Sequence, residues 1–282
     1  MAPSRDAVEL NVMPYENLYI YYIDGKVPAD RGLFGSGFIG NWQEENSAFL
    51  FFNEPADERV ESFVAADGGL ILKDRFFMPY TEWIGSEMPP FSAGGLCVLP
   101  PWLAEDETYD PNRILLDPGV VFGSGTHATT RDCLYAMEIV FSGSAVSRTI
   151  DLGCGTGLLA LAAARKGSRY VLAVDNNYLA VETARGNIVH NRLEDRVLAV
   201  HGCAEDFVGI EADLLVANIH YEVMKKLVAA PGFLRKKRFI LSGLLRSQFS
   251  RIEDDLRQLG AVIGQKWVSD GVWHTLTGAF EE

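Results

Sequence analysis

The segment TIDLGCGTGL, residues 149–158, decides the fold. Its apolar first half predicts a buried strand, the closely spaced glycines predict a sharp turn, and the alanine-rich residues that follow predict a helix. Glycine has no Cβ, so the backbone of such a turn can come close to a ligand. In doubly wound sheets, the crevice beyond the carboxyl end of the first strand binds ligands. The segment therefore predicts a cofactor site that includes Asp151, Gly153 and Gly155, although a tight turn without a ligand is the structural alternative.

Outward from this segment, short β-rich runs alternate with amphipathic runs of helical length, a pattern typical of a parallel sheet covered on both faces. Strands are expected at residues 148–152, 170–175, 197–201, 213–218 and 238–241, and helices at 158–166, 178–192, 222–229 and 247–259. Two last strands, 261–268 and 272–280, are separated by Ser269-Asp270-Gly271 and predict an antiparallel hairpin. The fold class is therefore α/β, with a doubly wound, mostly parallel, Rossmann-like sheet.

The N-terminal part of the chain has a different pattern. Aromatic runs at 18–23 and 48–52 predict strands, and residues 56–65 predict a helix. We expect a small α+β domain over residues 1–75, followed by a linker and the α/β domain over 76–282. The proline pairs at 89–90 and 100–101 predict stiff, extended connections.

An acidic residue ends the second predicted strand of the large sheet. Asp175 lies 22 positions after Gly153, where a carboxylate can accept hydrogen bonds from a ribose diol. Dinucleotide enzymes usually have the spacing G-x-G-x-x-G, whereas this loop has G-x-G-x-G. The spacing favours a methyl donor over a nicotinamide cofactor, and a nicotinamide oxidoreductase is the alternative.

A second glycine-rich segment, DPGVVFGSGTHATT at residues 117–130, precedes the first. It predicts a loop that places the Thr130 hydroxyl beside the cofactor crevice. Thr129 and Asp132, three residues apart, resemble a helix-capping pair. We expect His127 to make a structural hydrogen bond rather than to act as a general base.

The third element, VANIHY at residues 216–221, ends the fourth predicted parallel strand. The side-chain oxygen of Asn218 can align an amine or amide nitrogen, and the Tyr221 ring can hold a cationic or planar acceptor. These two residues are the candidate catalytic residues. An asparagine turn without chemistry is the alternative.

Five segments in this order, DPGVVFGSGTHATT, DLGCGTG, AVDNN, VANI and LSGLL, together resemble the ribosomal protein L11 methyltransferase family over residues 80 to 280. The resemblance implies a seven-stranded class I methyltransferase fold. It implies S-adenosyl-L-methionine as cofactor, in contact with Thr130, Gly153, Asp175 and Asn218. It also implies amine methylation promoted chiefly by proximity and in-line orientation. The acceptors would be lysine or N-terminal amines of a ribosomal protein, recognised by the small N-terminal domain.

His220 and Tyr221 stand where that family usually has small or aliphatic residues. This departure keeps two alternatives open. One is a divergent methyltransferase for another protein or for a small-molecule amine, and the other is a noncatalytic protein that binds the cofactor and uses its N-terminal domain for interaction.

Composition limits the partners and the compartment. A net charge of −13 disfavours direct nucleic-acid binding and favours a basic protein acceptor. The four cysteines form no C-x-x-C pair and no zinc pattern, so we expect no metal site and a reducing compartment. No export signal and no apolar run of about twenty residues is evident, which predicts a cytoplasmic protein without membrane contact. The short cationic run at 235–238 is expected to be a solvated loop that enters a strand, and the oligomeric state stays open.

Overall fold

The computed structural model describes residues 13–28, 34–85, 88–104 and 110–280. The N-terminal part forms a four-stranded antiparallel sheet with the order β2-β3-β1-β4. Its elements are β1 (Asn17–Asp24), β2 (Phe38–Glu44), β3 (Ser47–Phe52), α1 (Asp57–Ala66), β4 (Ile71–Pro79) and the single turn α2 (Tyr80–Trp83). The predicted strands at 18–23 and 48–52 and the predicted helix are confirmed to within one residue at each end.

Alternating side chains of this sheet are buried on two faces. One face packs with Val60 of α1 in a cluster that includes Tyr21 and Phe52. The other face carries Ile20 and Phe51, which pack with residues of the second half of the chain in another cluster. The sheet is therefore fixed between its own helix and the rest of the molecule.

The predicted boundary between residues 75 and 76 lies inside β4. This strand pairs with β1 from Asp24↔Ile71 to Asn17↔Pro79. A boundary after Pro79 keeps the hydrogen-bonded ladder whole, and the division into two domains stays a prediction.

The segment expected to be only an extended connection forms a small three-stranded sheet. Its strands are β5 (Phe91–Ala93), β6 (Leu96–Leu99) and β7 (Arg113–Leu115). Leu96, Val98 and Ile114 bury their side chains in the main core. Strands of three or four residues are too short for alternation to be visible in the sequence, which is why they were not predicted.

The large sheet has seven strands in the order β10-β9-β8-β11-β12-β14-β13, and β14 runs antiparallel to both β12 and β13. The strands are β8 (Arg148–Leu152), β9 (Tyr170–Asp175), β10 (Val197–His201), β11 (Ala212–Asn218), β12 (Lys236–Leu245), β13 (Val262–Ser269) and β14 (Trp273–Ala279). This order and the terminal hairpin confirm the predicted fold class.

Helices cover both faces of this sheet. They are α3 (Ala128–Gly143), α4 (Leu158–Arg165), α5 (Tyr178–His190), α6 (Ala204–Phe207), α7 (Tyr221–Ala229) and α8 (Arg246–Gln258). One core joins α3, α4 and α5 to the sheet, and the other joins α7 and α8 to the opposite face. Within the described ranges, no helix is both long enough and apolar enough to cross a bilayer.

The cationic run at 235–238 leads into a strand as expected, with Arg235 and Lys237 exposed, but it is not a solvated loop throughout. Lys236 begins β12 and is buried, and its ammonium group donates to the carbonyl oxygen of Ile210. Its aliphatic stem can pack in the core because the carbonyl oxygen satisfies the charged end.

Two asparagines, one in α5 and one at its C-cap, hold the chain that leads into the second glycine-rich segment. The Asn187 amide accepts from the Asp117 amide at 2.8 Å and donates to the carbonyl oxygens of Asp117, at 2.8 Å, and Thr156, at 3.0 Å. One turn later, Asn191 pairs in the same way with the backbone of Leu115. These amide side chains pair with backbone N–H and C=O groups as a neighbouring strand would. They therefore fix the position at which the segment starts.

Replacing Asn187 with alanine should destabilise the protein. Asn187→Ala removes three hydrogen bonds at a fully buried position, and we expect the free energy of unfolding to fall by about 1–3 kcal/mol. Urea denaturation followed by circular dichroism measures this change. Val189→Ala, at an exposed position of the same helix, is the control and should stay within about 0.5 kcal/mol. Equal stabilities of the two variants would contradict the stabilising role of the Asn187 hydrogen bonds.

Candidate functional site

The glycine loop after β8 has a backbone conformation that requires glycine. Gly153, Gly155 and Gly157 have φ angles of 78°, 52° and 82°. A Cβ on Gly155 would lie 2.4 Å from the carbonyl oxygen of Phe122. That oxygen also accepts from the Thr156 amide at 3.2 Å, and the Thr156 hydroxyl donates to the Gly123 carbonyl at 2.7 Å. The two glycine-rich segments are therefore in direct backbone contact.

Asp175 ends β9 beside this loop. One carboxylate oxygen accepts from the Gly155 amide at 2.9 Å, and the other accepts from the Asn177 amide at 2.9 Å. Burial raises the pKa of the Asp175 carboxyl, and these two amides oppose that effect. The carboxylate holds the loop in place and retains lone pairs for further donors. Its predicted contact with a ribose diol stays a prediction.

Asp151, in the middle of β8, is a buried carboxylate without a hydrogen-bond partner among the residues described. Its side chain is 1% exposed. Burial, and secondly the Asp175 charge, raise the pKa of Asp151 to about 7, although the Ala160 amide, which makes no hydrogen bond of ordinary geometry with this carboxyl, opposes the rise. Leaving a buried polar group unpaired costs about 1–3 kcal/mol, so a carboxylate in this state is suited to a ligand that brings a donor.

Thr130 and Asn218 lie together, as predicted from residues 88 positions apart. Asn218 ends β11, and its amide nitrogen donates to the Thr129 hydroxyl at 3.1 Å and to the Thr130 hydroxyl at 3.5 Å. Both threonines are buried in the first turn of α3. The hydroxyls fix the orientation of the amide, which leaves Oδ1 as the polar atom available to an incoming group.

His127 is the N-cap residue of α3. Its Nδ1 lies 2.8 Å from the Thr129 hydroxyl and accepts from the Thr129 amide at 3.4 Å. The expected structural hydrogen bond is confirmed. The predicted capping pair of Thr129 and Asp132 is wrong, because the Asp132 carboxylate accepts from the hydroxyls of Ser269 and Thr275 in the terminal hairpin.

Tyr221 begins α7 and is partly buried against the core on the α7–α8 side of the sheet. The side chains of Asp151 and Thr130 belong to the opposite, α3 side, because Asp151 alternates with core residues Ile150 and Leu152 of the α7–α8 side. The recorded contacts of Tyr221 are thus packing contacts, and its catalytic role stays a prediction.

Two aromatic residues that sequence reasoning missed border the site. The centroid of the Phe122 ring lies 5.7 Å from that of the His127 ring, and the centroid of the Trp273 ring lies 5.2 Å from it. Phe122 stood inside a segment already singled out. Trp273 is separated from it by 151 positions, and only the tertiary fold brings it there.

A cavity of about 690 Å³ opens between the N-terminal sheet and residues 120–127. Its walls are mostly aromatic and aliphatic, and it extends to His127. This volume is within the usual range for small-ligand sites. Within the described ranges, no group of three His, Cys, Asp or Glu side chains could hold a metal ion.

The strand order, the antiparallel hairpin and an acidic residue that holds the glycine loop define a class I S-adenosylmethionine-dependent methyltransferase. A search of protein families agrees with this class. The family model described as ribosomal protein L11 methyltransferase (PrmA) matches residues 80–281, and the chain belongs to this family. The resemblance predicted from the five sequence segments is confirmed.

Curated relatives with this name are similar over most of the chain. A ribosomal protein L11 methyltransferase of Clostridium perfringens is 28% identical over 279 residues, which are 96% of this chain and 82% of the relative. That of Gloeobacter violaceus is 38% identical over 202 residues, 70% of this chain and 61% of the relative, so the match spans less than two thirds of that protein. A crystal structure of ribosomal protein L11 methylase from Lactobacillus delbrueckii subsp. bulgaricus matches with a TM-score of 0.54 and 26% identity, over 66% of this chain and 94% of that chain.

The residues present fit S-adenosylmethionine. Its amino group would supply the donor that the buried Asp151 carboxylate lacks, and its ribose diol would supply donors to Asp175. Glycine is required at positions 153 and 155 by close packing, since an added Cβ would meet Ile219 or the Phe122 carbonyl, and the backbone of this loop lies directly beside Asp175.

Asp151 should make the stability of the ligand-free protein depend on pH. The pKa of about 7 in the folded protein exceeds the ordinary value of 3.8. At a pH between these two values, the folded state therefore keeps a proton that the unfolded chain has released. The free energy of unfolding should therefore fall as pH rises from 5 to 7, by about 2–3 kcal/mol for this group. Urea denaturation at pH 5 and pH 8 should show a smaller fall in Asp151→Asn than in the unchanged protein.

Asp213→Asn is the control for this measurement. Burial is the largest single effect on Asp213 and raises its pKa, but the amides of Arg148 and Ser147 together with Lys237 outweigh it and hold the pKa below its ordinary value. This group therefore stays ionised from pH 5 to 8 in both states. Its replacement should leave the difference between the two pH values unchanged. An undiminished pH dependence in Asp151→Asn would refute the assignment.

Proposed function

We propose that this chain transfers a methyl group from S-adenosylmethionine to an amine nitrogen of ribosomal protein L11. The observation that carries the proposal is the orientation of Asn218, whose amide nitrogen is held by two buried threonine hydroxyls next to the glycine loop. The names of the curated relatives support the acceptor, and the net charge of −13 suits a basic ribosomal protein.

In this proposal, each cofactor residue contacts a different part of S-adenosylmethionine. Gly153 and Gly155 bring backbone to the ligand, Asp175 accepts from the ribose hydroxyls, and Asp151 pairs with the amino group. Thr130 lies where its hydroxyl lines the same crevice. When bound, S-adenosylmethionine supplies a methyl group on a positively charged sulfur that an amine lone pair can attack.

Asn218 positions the acceptor. Its amide nitrogen is engaged by the threonine hydroxyls, so Oδ1 is the atom that accepts a hydrogen bond from the N–H of a neutral acceptor amine. That bond directs the nitrogen lone pair and leaves it available for attack. Methyl transfer to a neutral amine needs little beyond proximity and in-line orientation, and a 1 Å displacement can cost about 100-fold in rate.

Methyl transfer can be measured directly with the intact chain, radiolabelled S-adenosylmethionine and purified bacterial ribosomal protein L11. We expect label in L11, on lysine or N-terminal amines located by mass spectrometry. Asn218→Ala should lower the rate of transfer by about 10- to 100-fold because the acceptor loses its orientation. Asp175→Ala should weaken S-adenosylhomocysteine binding, measured by calorimetry, by about 1–3 kcal/mol.

Asp195→Ala is the matched control for Asp175→Ala, because Asp195 is an exposed carboxylate. It should bind S-adenosylhomocysteine and methylate L11 like the unchanged chain. Binding of S-adenosylhomocysteine without label in L11 would contradict the acceptor. If labelled product is also missing from a whole cytosolic extract, the chain is a noncatalytic cofactor-binding protein.

A further inference from the structure

The cavity between the N-terminal sheet and residues 120–127 has walls contributed by both halves of the chain. The sheet supplies aromatic rings from three strands and from the turn after β4, and the loop supplies a further one. These rings belong to Trp42, Phe49, Phe51, Phe76, Trp83 and Phe122. The Phe51 and Trp83 rings are in edge-to-face contact, with centroids 5.3 Å apart. The wall is therefore a packed aromatic surface.

A single carboxylate interrupts this apolar lining. Glu44 is the one acidic residue among the described residues of the lining, which contains no lysine or arginine. It ends β2 at the exposed rim of the cavity, and the Trp42 indole N–H donates to its Oε1 at 3.2 Å. The hydrogen bond fixes the carboxylate beside the indole ring.

This combination of groups is suited to a cation with an apolar stem. An aromatic face attracts an alkylammonium or guanidinium group, and a carboxylate next to it supplies the counter-charge. An anionic ligand would meet the Glu44 charge without a basic residue to offset it. The net charge of −13 adds long-range attraction for a basic partner.

The cation bound by Glu44 is not the amine that becomes methylated. A carboxylate stabilises the protonated form of an ammonium group and so raises its pKa, whereas attack on the methyl group requires a free lone pair. Glu44 lies at the sheet side of the cavity, and the other side is formed by His127, which contacts Thr129 beside Asn218. The cavity therefore has a place for a charged group at one side and reaches, at the other, the histidine whose partner Thr129 is bonded to Asn218.

We propose that Glu44 is a specificity-determining residue, which with the Trp42 ring binds a second positively charged side chain of the acceptor protein, next to the amine that is methylated. The occupant of the cavity is then a basic segment of the acceptor, inserted between the N-terminal sheet and the loop. This inference rests on the proposed function, since it takes the occupant to be the methyl acceptor.

Pentalysine and its fully side-chain-acetylated counterpart are suitable probes, used with the intact chain at 0.15 M salt. Trp42 and Trp83 line the cavity, so binding should change the tryptophan fluorescence. We expect pentalysine to bind and the acetylated peptide to bind at least tenfold more weakly. Glu44→Gln should weaken pentalysine binding by about two- to fivefold, the range of an exposed charge pair.

Glu45→Gln is the control, because Glu45 is the adjacent exposed carboxylate and lies outside the cavity lining. It should bind pentalysine like the unchanged chain. With ribosomal protein L11 as substrate, Glu44→Gln should raise KM by a similar factor and leave kcat unchanged. This is the result expected when a contact made equally in the ground state and the transition state is lost.

Equal loss of pentalysine binding in Glu44→Gln and Glu45→Gln would overturn the proposal, since only the overall charge would then matter. Equal binding of the acetylated peptide would overturn it as well. S-adenosylhomocysteine binding separates this outcome from failure of the proposed function. A chain that binds the cofactor product and methylates L11, but shows no difference between the two glutamate variants, retains the function and loses the role of Glu44.

Discussion

The close approach of the Phe122 carbonyl to Gly155 is the constraint on which the candidate site depends. An added Cβ at Gly155 would come within 2.4 Å of that oxygen, so the two segments meet only if position 155 is glycine. The neighbouring Thr156 then bonds to the same segment through both its amide and its hydroxyl. The helix that carries Thr130 begins at Ala128, within this segment, and is therefore placed by the same contact.

Much of the large sheet could be predicted from sequence because its local and global preferences agree. The strands that end at Leu152, Asp175 and His201 are short, β-rich and bounded by turn residues, and their limits were predicted without error. Thr130 and Asn218 were predicted to meet because Asn218 ends a parallel strand at the sheet edge where ligands bind, and the loop that carries Thr130 was expected beside that crevice.

What the sequence did not reveal depends on contacts between distant residues. β4 mixes charged and aromatic residues, and its identity as a strand comes from pairing with β1. Asp132 follows Thr129 at capping distance, yet its partners lie more than 130 positions away. The buried state of Asp151 and the cavity beside Glu44 likewise arise only when separate elements pack together.

The loop at residues 120–127 connects the glycine turn with the aromatic cavity. Its backbone bonds to the glycine turn, and its side chains line the aromatic cavity, while the Tyr80 hydroxyl of the N-terminal half holds Gly119 just before it. A ligand at the glycine turn that displaces this loop therefore also changes the free energy of binding in the cavity. By thermodynamic reciprocity, each of the two ligands then changes the affinity for the other by the same factor.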